Sequence, residues 1–191
     1  ITPKYNASLG LNSRSKFVNV FGNYSYYTGD NSNILQLYRE QSNKGILNTY
    51  DQKNNMVDHN YNNSFKIGSD FFISKKSTLG VMVNGNLMTA PWNNSSRTVI
   101  ASQGGKVDSI LIASNRIEQK RNNLNYNINY RFADTSGREL NVDADYGTFD
   151  SKANSYQPNK YTNADGTKIL NEKNYRNNTP SNIKIKSIKA D

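Results

Sequence analysis

Side chains alternate between apolar and polar in segment after segment of this chain, and a period of two residues is the period of a β-strand. Over residues 17–27, Val18, Val20, Gly22, Tyr24 and Tyr26 fall on one face, and Asn19, Phe21, Asn23 and Ser25 on the other. Residues 64–74 set Phe65, Ile67, Ser69, Phe71 and Ile73 against Lys66, Gly68, Asp70 and Phe72. Residues 78–88 set Leu79, Val81, Val83, Gly85 and Leu87 against Gly80, Met82, Asn84 and Asn86. The cleanest case is 119–132, where Leu124, Tyr126, Ile128, Tyr130 and Phe132 alternate with Asn123, Asn125, Asn127, Asn129 and Arg131. In 139–149, Leu140, Val142, Ala144, Tyr146 and Thr148 alternate with Asn141, Asp143, Asp145 and Gly147. Two more strands are expected over 5–12, with Tyr5, Ala7, Leu9 and Leu11 on the apolar side, and over 182–190, whose facing stays open.

Composition reinforces the all-β reading. Asparagine is about one residue in six, and it disfavours helix interiors while favouring turns. No apolar run approaches the roughly 20 residues of a transmembrane helix, and mean hydropathy is −0.84. A membrane β-barrel stays open, because strands that alternate look hydrophilic to an averaging window. Cysteine is absent, which removes disulfides and thiol chemistry. The first residues, Ile1-Thr2-Pro3-Lys4, carry no targeting pattern, and the chain is expected to start inside a longer protein.

Connection lengths give the second signal. Short links are expected at 13–16, 74–77 and 133–138, and long loops at 28–63, 89–115 and 150–181, well beyond the median of ~4–6 residues. Short and long alternate, so all short turns fall at one end of the sheet. Outer-membrane barrels have this asymmetry, with short periplasmic turns and long extracellular loops; a soluble sandwich has no reason for it. Within the long loops, 33–41 and 45–53 have strand-like patches that would extend the wall as a ribbon. Asp165-Gly166 reads as a type I′ hairpin tip, and Gly104-Gly105 as a turn.

The apolar faces carry no charge, although 20% of all residues are charged. Lys or Arg on a lipid face near the midplane costs ~2–4 kcal/mol; a sandwich core would exclude charge as firmly. Tyr24, Tyr26 and Tyr146 toward one end, and Tyr130, Phe132 and Phe71 toward the other, match the two aromatic girdles of a membrane barrel.

Several segments resemble the outer-membrane β-barrel family of Bacteroidota. They are Ala7-Ser8-Leu9-Gly10-Leu11-Asn12, Asn19–Tyr26, Phe65–Ile73, Lys75–Gly80, Gln119–Asn127, and Asn129-Tyr130-Arg131-Phe132 with Gly137–Tyr146. The resemblance spans nearly the whole chain. It implies a TonB-dependent-receptor-like transporter in which a plug precedes the barrel. TonB and a surface lipoprotein are then implied partners, along with outer-membrane lipid. Neither a TonB box nor a plug motif is present in this sequence, so both would lie in chain not included here.

The expected architecture is therefore an up-and-down antiparallel meander forming part of a transmembrane barrel. Lipid-facing residues would be Val18, Val20, Tyr24, Tyr26, Phe65, Ile67, Phe71, Ile73, Leu79, Val81, Val83, Leu87, Leu124, Tyr126, Ile128, Tyr130, Phe132, Leu140, Val142 and Tyr146. Lumen-facing residues would be Asn19, Asn23, Lys66, Asp70, Asn84, Asn86, Asn125, Asn127, Asn129, Arg131, Asn141, Asp143 and Asp145.

Few residues suggest chemistry. His59 is the only histidine, so neither a two-histidine metal site nor a Ser-His-Asp triad can form; it reads as a solvated loop residue. Asp143 and Asp145, with Asp150 beyond, read as polar lining rather than a carboxylate pair for catalysis or calcium. Trp92, after Pro91 in a long loop, would stack on a sugar or sit at the membrane rim. The net charge of +9 raises nucleic acid as a partner, but the cations are scattered. The one cluster, Lys184, Lys186 and Lys189, reads as the polar face of a strand. No enzyme, metal, cofactor or nucleic-acid role is expected. The competing reading is a soluble all-β glycan-binding or adhesive module.

Overall fold

The computed structural model describes residues 2–43, 45–102 and 104–191. All described regular structure is antiparallel strand: β1 (Lys4–Arg14), β2 (Val18–Asn43), β3 (Ile46–Phe72), β4 (Ser77–Thr89), β5 (Trp92–Ala101), β6 (Val107–Ala133), β7 (Glu139–Asn163) and β8 (Ile169–Ala190). They form one sheet in the order β1-β2-β3-β4-β6-β7-β8. Consecutive strand positions pair throughout, so the fold is an up-and-down meander with no Greek-key crossing.

The eighth strand does not add an eighth position. β4 and β5 both pair with β3 on one side and β6 on the other, so they are one wall position interrupted at Ala90-Pro91. Proline has no N–H for the ladder. The acceptor side carries on across the gap: Pro91 O accepts from His59 N at 3.0 Å, and Ala90 N donates to Gln119 O at 2.9 Å. No residue is inserted, because Asp58 pairs with Trp92 and Tyr61 with Thr89. Face alternation therefore runs through the break unchanged.

The three expected long loops are corrected. Residues 28–43 and 46–63 are the upper parts of β2 and β3, paired without interruption to Asn43↔Ile46. Residues 89–115 contain β5 and the upper part of β6, and 150–181 the upper parts of β7 and β8. Strands reach 27 residues, against a usual length of ~5–6. The ribbon expected at 33–41 and 45–53 is present, joined to a far larger ordered wall. Pattern reading missed these extensions because both of their faces are mostly polar, which leaves little period-two contrast.

The hairpin tip at 164–168 also differs from expectation. Gly166 N donates to Asn163 O at 3.0 Å, and Gly166 has φ of 80°. Glycine thus occupies the fourth place of the turn, where its missing Cβ permits the left-handed conformation. A two-residue type I′ turn would have put Asp165-Gly166 at its centre. Asp165 instead caps the turn, accepting from Thr167 N at 2.8 Å and Thr167 Oγ1 at 2.7 Å. Those bonds hold its carboxyl below the usual carboxylate range.

The sheet is a single layer. Ala101 and Ile110 are the only buried apolar side chains among the described residues. Ile67 and Ile128, on interior strands, remain 60% and 56% exposed. Among the described residues no second sheet or helix covers either face, and β1 and β8 each leave one edge unpaired.

Candidate membrane-facing wall

Cross-strand partners project to the same side of a sheet, so the register sorts residues into two faces. One face carries, row by row, Leu9-Tyr24-Phe65-Gly85-Leu124-Thr148 and Leu11-Gly22-Ile67-Val83-Tyr126-Tyr146. Below these lie Ser13-Val20-Ser69-Val81-Ile128-Ala144, then Val18-Phe71-Leu79-Tyr130-Val142, then Ser77-Phe132-Leu140. No charged residue occurs on this face of β1 to β7 between the Tyr24 and Phe132 rows. Leu124 to Phe132 matches the roughly 9–11 residues with which a tilted strand crosses a bilayer. Ile73 falls just past the end of β3, in the turn.

The opposite face is a lattice of amides and carboxylates. Asn19 Nδ2 donates to Asp70 at 3.3 Å, and Asn127 Nδ2 to Asp145 at 2.7 Å. Asn129 Nδ2 donates to Asn127 at 2.8 Å, and Asn86 Nδ2 to Asn62 and Ser64 at 2.7 Å each. Asn23, Lys66, Asn84 and Asn125 form one row of this face, and Arg131 pairs with Asn141. Asp143 lies opposite Asn129. Asp150 departs from the expected carboxylate group: it pairs with Asn122 and so lies on the other face.

Tyrosines mark both borders of the apolar band. Tyr24 donates its hydroxyl to Asn63 Oδ1 at 2.5 Å, one row above the band. Tyr130 donates to Ser77 Oγ at 3.1 Å, toward the band's lower edge. The two hydroxyls thus aim away from the centre, as amphipathic rings do at two interfaces. One row below the Tyr24 row, the directly paired Tyr126 and Tyr146 rings stack at 6.1 Å. Below the band, Lys76 Nζ bridges to Asp134 Oδ1 at 2.5 Å, linking the β3–β4 and β6–β7 turns. The Lys76 ammonium holds the Asp134 carboxyl below its usual range.

Above the Tyr24 row the character of the same face changes. It carries Asp30, His59, Lys53, Asp51, Arg97, Glu118, Arg116, Lys120, Lys152 and Arg176. A shallow depression of about 510 Å³ there is lined by Gln36, Asp51, Lys53, Asn55, Ser95 and Arg97, among others.

Three site expectations are corrected. His59 is a strand residue in β3, with Nδ1 2.6 Å from Asp30 Oδ1; its sequence neighbour Asp58 points to the opposite face. Trp92 opens β5, half-buried in the polar-face row Asn31-Asp58-Trp92-Ile117. The lysines of β8 do not share a polar face: Lys184 and Lys186 pair with Thr148 and Tyr146 on the apolar side, and Lys189 pairs with Asp143 on the other. Ile183 and Ile185 consequently fall on the polar face, opposite Phe149 and Gly147. Sequence reasoning also missed Lys120 and Lys152 as a pair. Counting by twos from Leu124 and Tyr146 reaches both, once the strands are extended.

Among the described residues no group of three His, Cys, Asp or Glu side chains could hold a metal ion. The sequence matches no protein-family model and no curated protein.

Proposed function

We propose that this chain is a wall segment of a transmembrane β-barrel in a bacterial outer membrane, part of a TonB-dependent-receptor-like transporter for an unidentified substrate. One observation carries the reading: an apolar band, one bilayer deep and free of charge on β1 to β7, on a single-layer sheet whose other face is a polar lattice. A single layer with both faces in water would leave that band without the second layer soluble folds require. Hydrocarbon on one side and a watery lumen on the other satisfy both faces. The turns below the band, among them the two joined by the Lys76–Asp134 pair, then face the periplasm, and the tall upper strands rise outside the cell. Transporter character, plug and TonB coupling follow from the family resemblance described above.

The open edges constrain the rest of the barrel. β1 and β8 run in the same direction, because the path has seven positions. A barrel that keeps antiparallel pairing throughout must insert an odd number of further positions between them. Closure also removes two edges that would otherwise template aggregation.

Fractionation of cells producing the intact protein tests the proposal. The expected result is retention in the outer-membrane pellet after carbonate washing, with a gel mobility that shifts on boiling. Recovery as a folded monomer in detergent-free buffer would overturn it in favour of the soluble surface module.

A further inference from the structure

The β6–β8 end of the outward face holds a basic patch at the upper border of the apolar band. Lys120 and Lys152 are direct cross-strand partners, an arrangement in which like charges repel. Two rows above them, Arg116 and Arg176 both pair with Tyr156, and the Arg176 guanidinium lies 5.1 Å over that ring. Lys184 and Lys186 approach the same border from below, on a face otherwise apolar.

Two acids on this face, Glu118 and Asp150, offset only part of its charge, leaving the group net positive. Glu118 is engaged by Arg116 at 3.2 Å, and Asp150 accepts from Asn182. Lys120, Lys152, Lys184 and Lys186 have no ion-pair partner among the described residues. A lysine facing hydrocarbon is relieved by extending its stem to the interface. From its row at the top of the band, Lys184 would reach upward toward Lys152, whereas Lys186, six residues and about 20 Å of strand below the Lys152 row, stays within the band. The ammonium groups of Lys120, Lys152 and Lys184 then gather near the height where the apolar band ends and lipid headgroups begin.

We infer that the outward face of β6–β8, centred on Lys120, Lys152 and Lys184, binds the phosphate groups of an outer-leaflet phosphorylated glycolipid. The acyl chains of that lipid lie against the band below, beside Leu124, Tyr126 and Tyr146. An anion between Lys120 and Lys152 turns their repulsion into a shared attraction. This accounts for two opposed lysines at the border and for Lys184, which β8 places at the top row of the band. The inference rests on the membrane placement proposed above.

The test uses the intact protein purified in a neutral detergent, titrated with lipid A or with its chemically dephosphorylated form, and read by native mass spectrometry. Retention of the phosphorylated lipid should exceed that of the dephosphorylated form. The double variant Lys120→Gln/Lys152→Gln should lose about 30-fold in affinity, at about fivefold per lysine near a charged lipid surface. Lys53→Gln/Arg97→Gln, high on the same face, should leave retention unchanged, and inorganic phosphate alone should bind no more tightly to wild type than to the double variant. Equal retention of the two lipids, wild-type retention by the Lys120/Lys152 variant, or an equal loss in both variants would overturn the site. Lys184→Gln alone provides a second reading and should lose about fivefold. A protein that fails to enter the membrane pellet defeats the premise; one that enters it but ignores phosphate defeats only this inference.

Discussion

The lower and upper halves of one sheet face differ more than its two opposite faces do at the top. Strands β2, β3, β6 and β7 run through both halves with unbroken alternation, so backbone geometry is shared and only the side chains change. Below the Tyr24 row the outward positions of β1 to β7 are Leu, Ile, Val, Phe, Tyr and small residues. Above it they include Asp51, Lys53, Arg97, Arg116 and Lys120. A soluble sheet would change character across its thickness, face by face. Here the change comes with height, as expected of a wall that leaves one solvent and enters another.

Charge placed in the two halves should break this comparison most sharply if it is wrong. Ile128→Arg, at mid-band, is expected to destabilise the membrane-folded protein by about 2–4 kcal/mol. Ser95→Arg, on the same face of the upper wall, is expected to stay within about 0.5 kcal/mol of wild type. Denaturant unfolding in lipid vesicles measures both, and similar costs would contradict the distinction.

A smaller effect is expected from crowding the band. A Cβ at Gly85 would meet Leu124 Cδ2 at 2.6 Å and Phe65 Cζ at 2.8 Å. Gly85→Val should therefore cost about 1 kcal/mol in the same assay. The two neighbours can yield by swinging outward, so a much larger penalty would indicate a rigid layer packed against them.

Trp92, the only tryptophan, reports height without mutation. It lies above the band on the polar face, so its emission should be quenched by aqueous iodide or acrylamide and spared by bromine-labelled acyl chains. Strong quenching by the labelled lipid would move the border upward past β5.

The smallest expected effect is at the lower turns. Lys76 lowers the Asp134 carboxyl below its ordinary value of 3.8. The stabilisation is therefore present above pH 3.8 and is lost as pH falls through the lower folded-state value. Asp134→Asn should remove that acid dependence while barely changing stability at neutral pH, because the pair is solvent-exposed. Unfolding midpoints compared near pH 3 and pH 7 provide the check.

What could be read from the sequence followed the contrast between faces. Leu124 to Phe132 alternates with Asn123 to Arg131, so strand, face and band were evident there. The upper wall was invisible to the same test: Gln36, Asp51 and Lys53 stand on one side, and Asn54, Gln52 and Ser96 on the other, all polar. The expected alternation of short and long loops is not found: the connections at both ends are only two to five residues long, and the extra residues build taller strands. The interruption at Pro91 concealed that β4 and β5 share one position. In β8, Ile183, Ile185 and Ile188 do not keep a single parity, so no facing could be assigned there. The basic patch escaped notice because its members come from three strands and meet only through register.

The most direct measurement is collision accessibility of nitroxide labels on single cysteines, in a chain that has no native cysteine, after reconstitution of the intact protein in lipid. Labels at Ile67, Val81 and Ile128 should collide preferentially with oxygen; labels at Lys66, Asn84 and Asn127, and at Ser95 high on the outward face, should collide preferentially with a water-soluble nickel chelate. Equal chelate access at Val81 and Asn84 would contradict a wall with lipid on one side and water on the other.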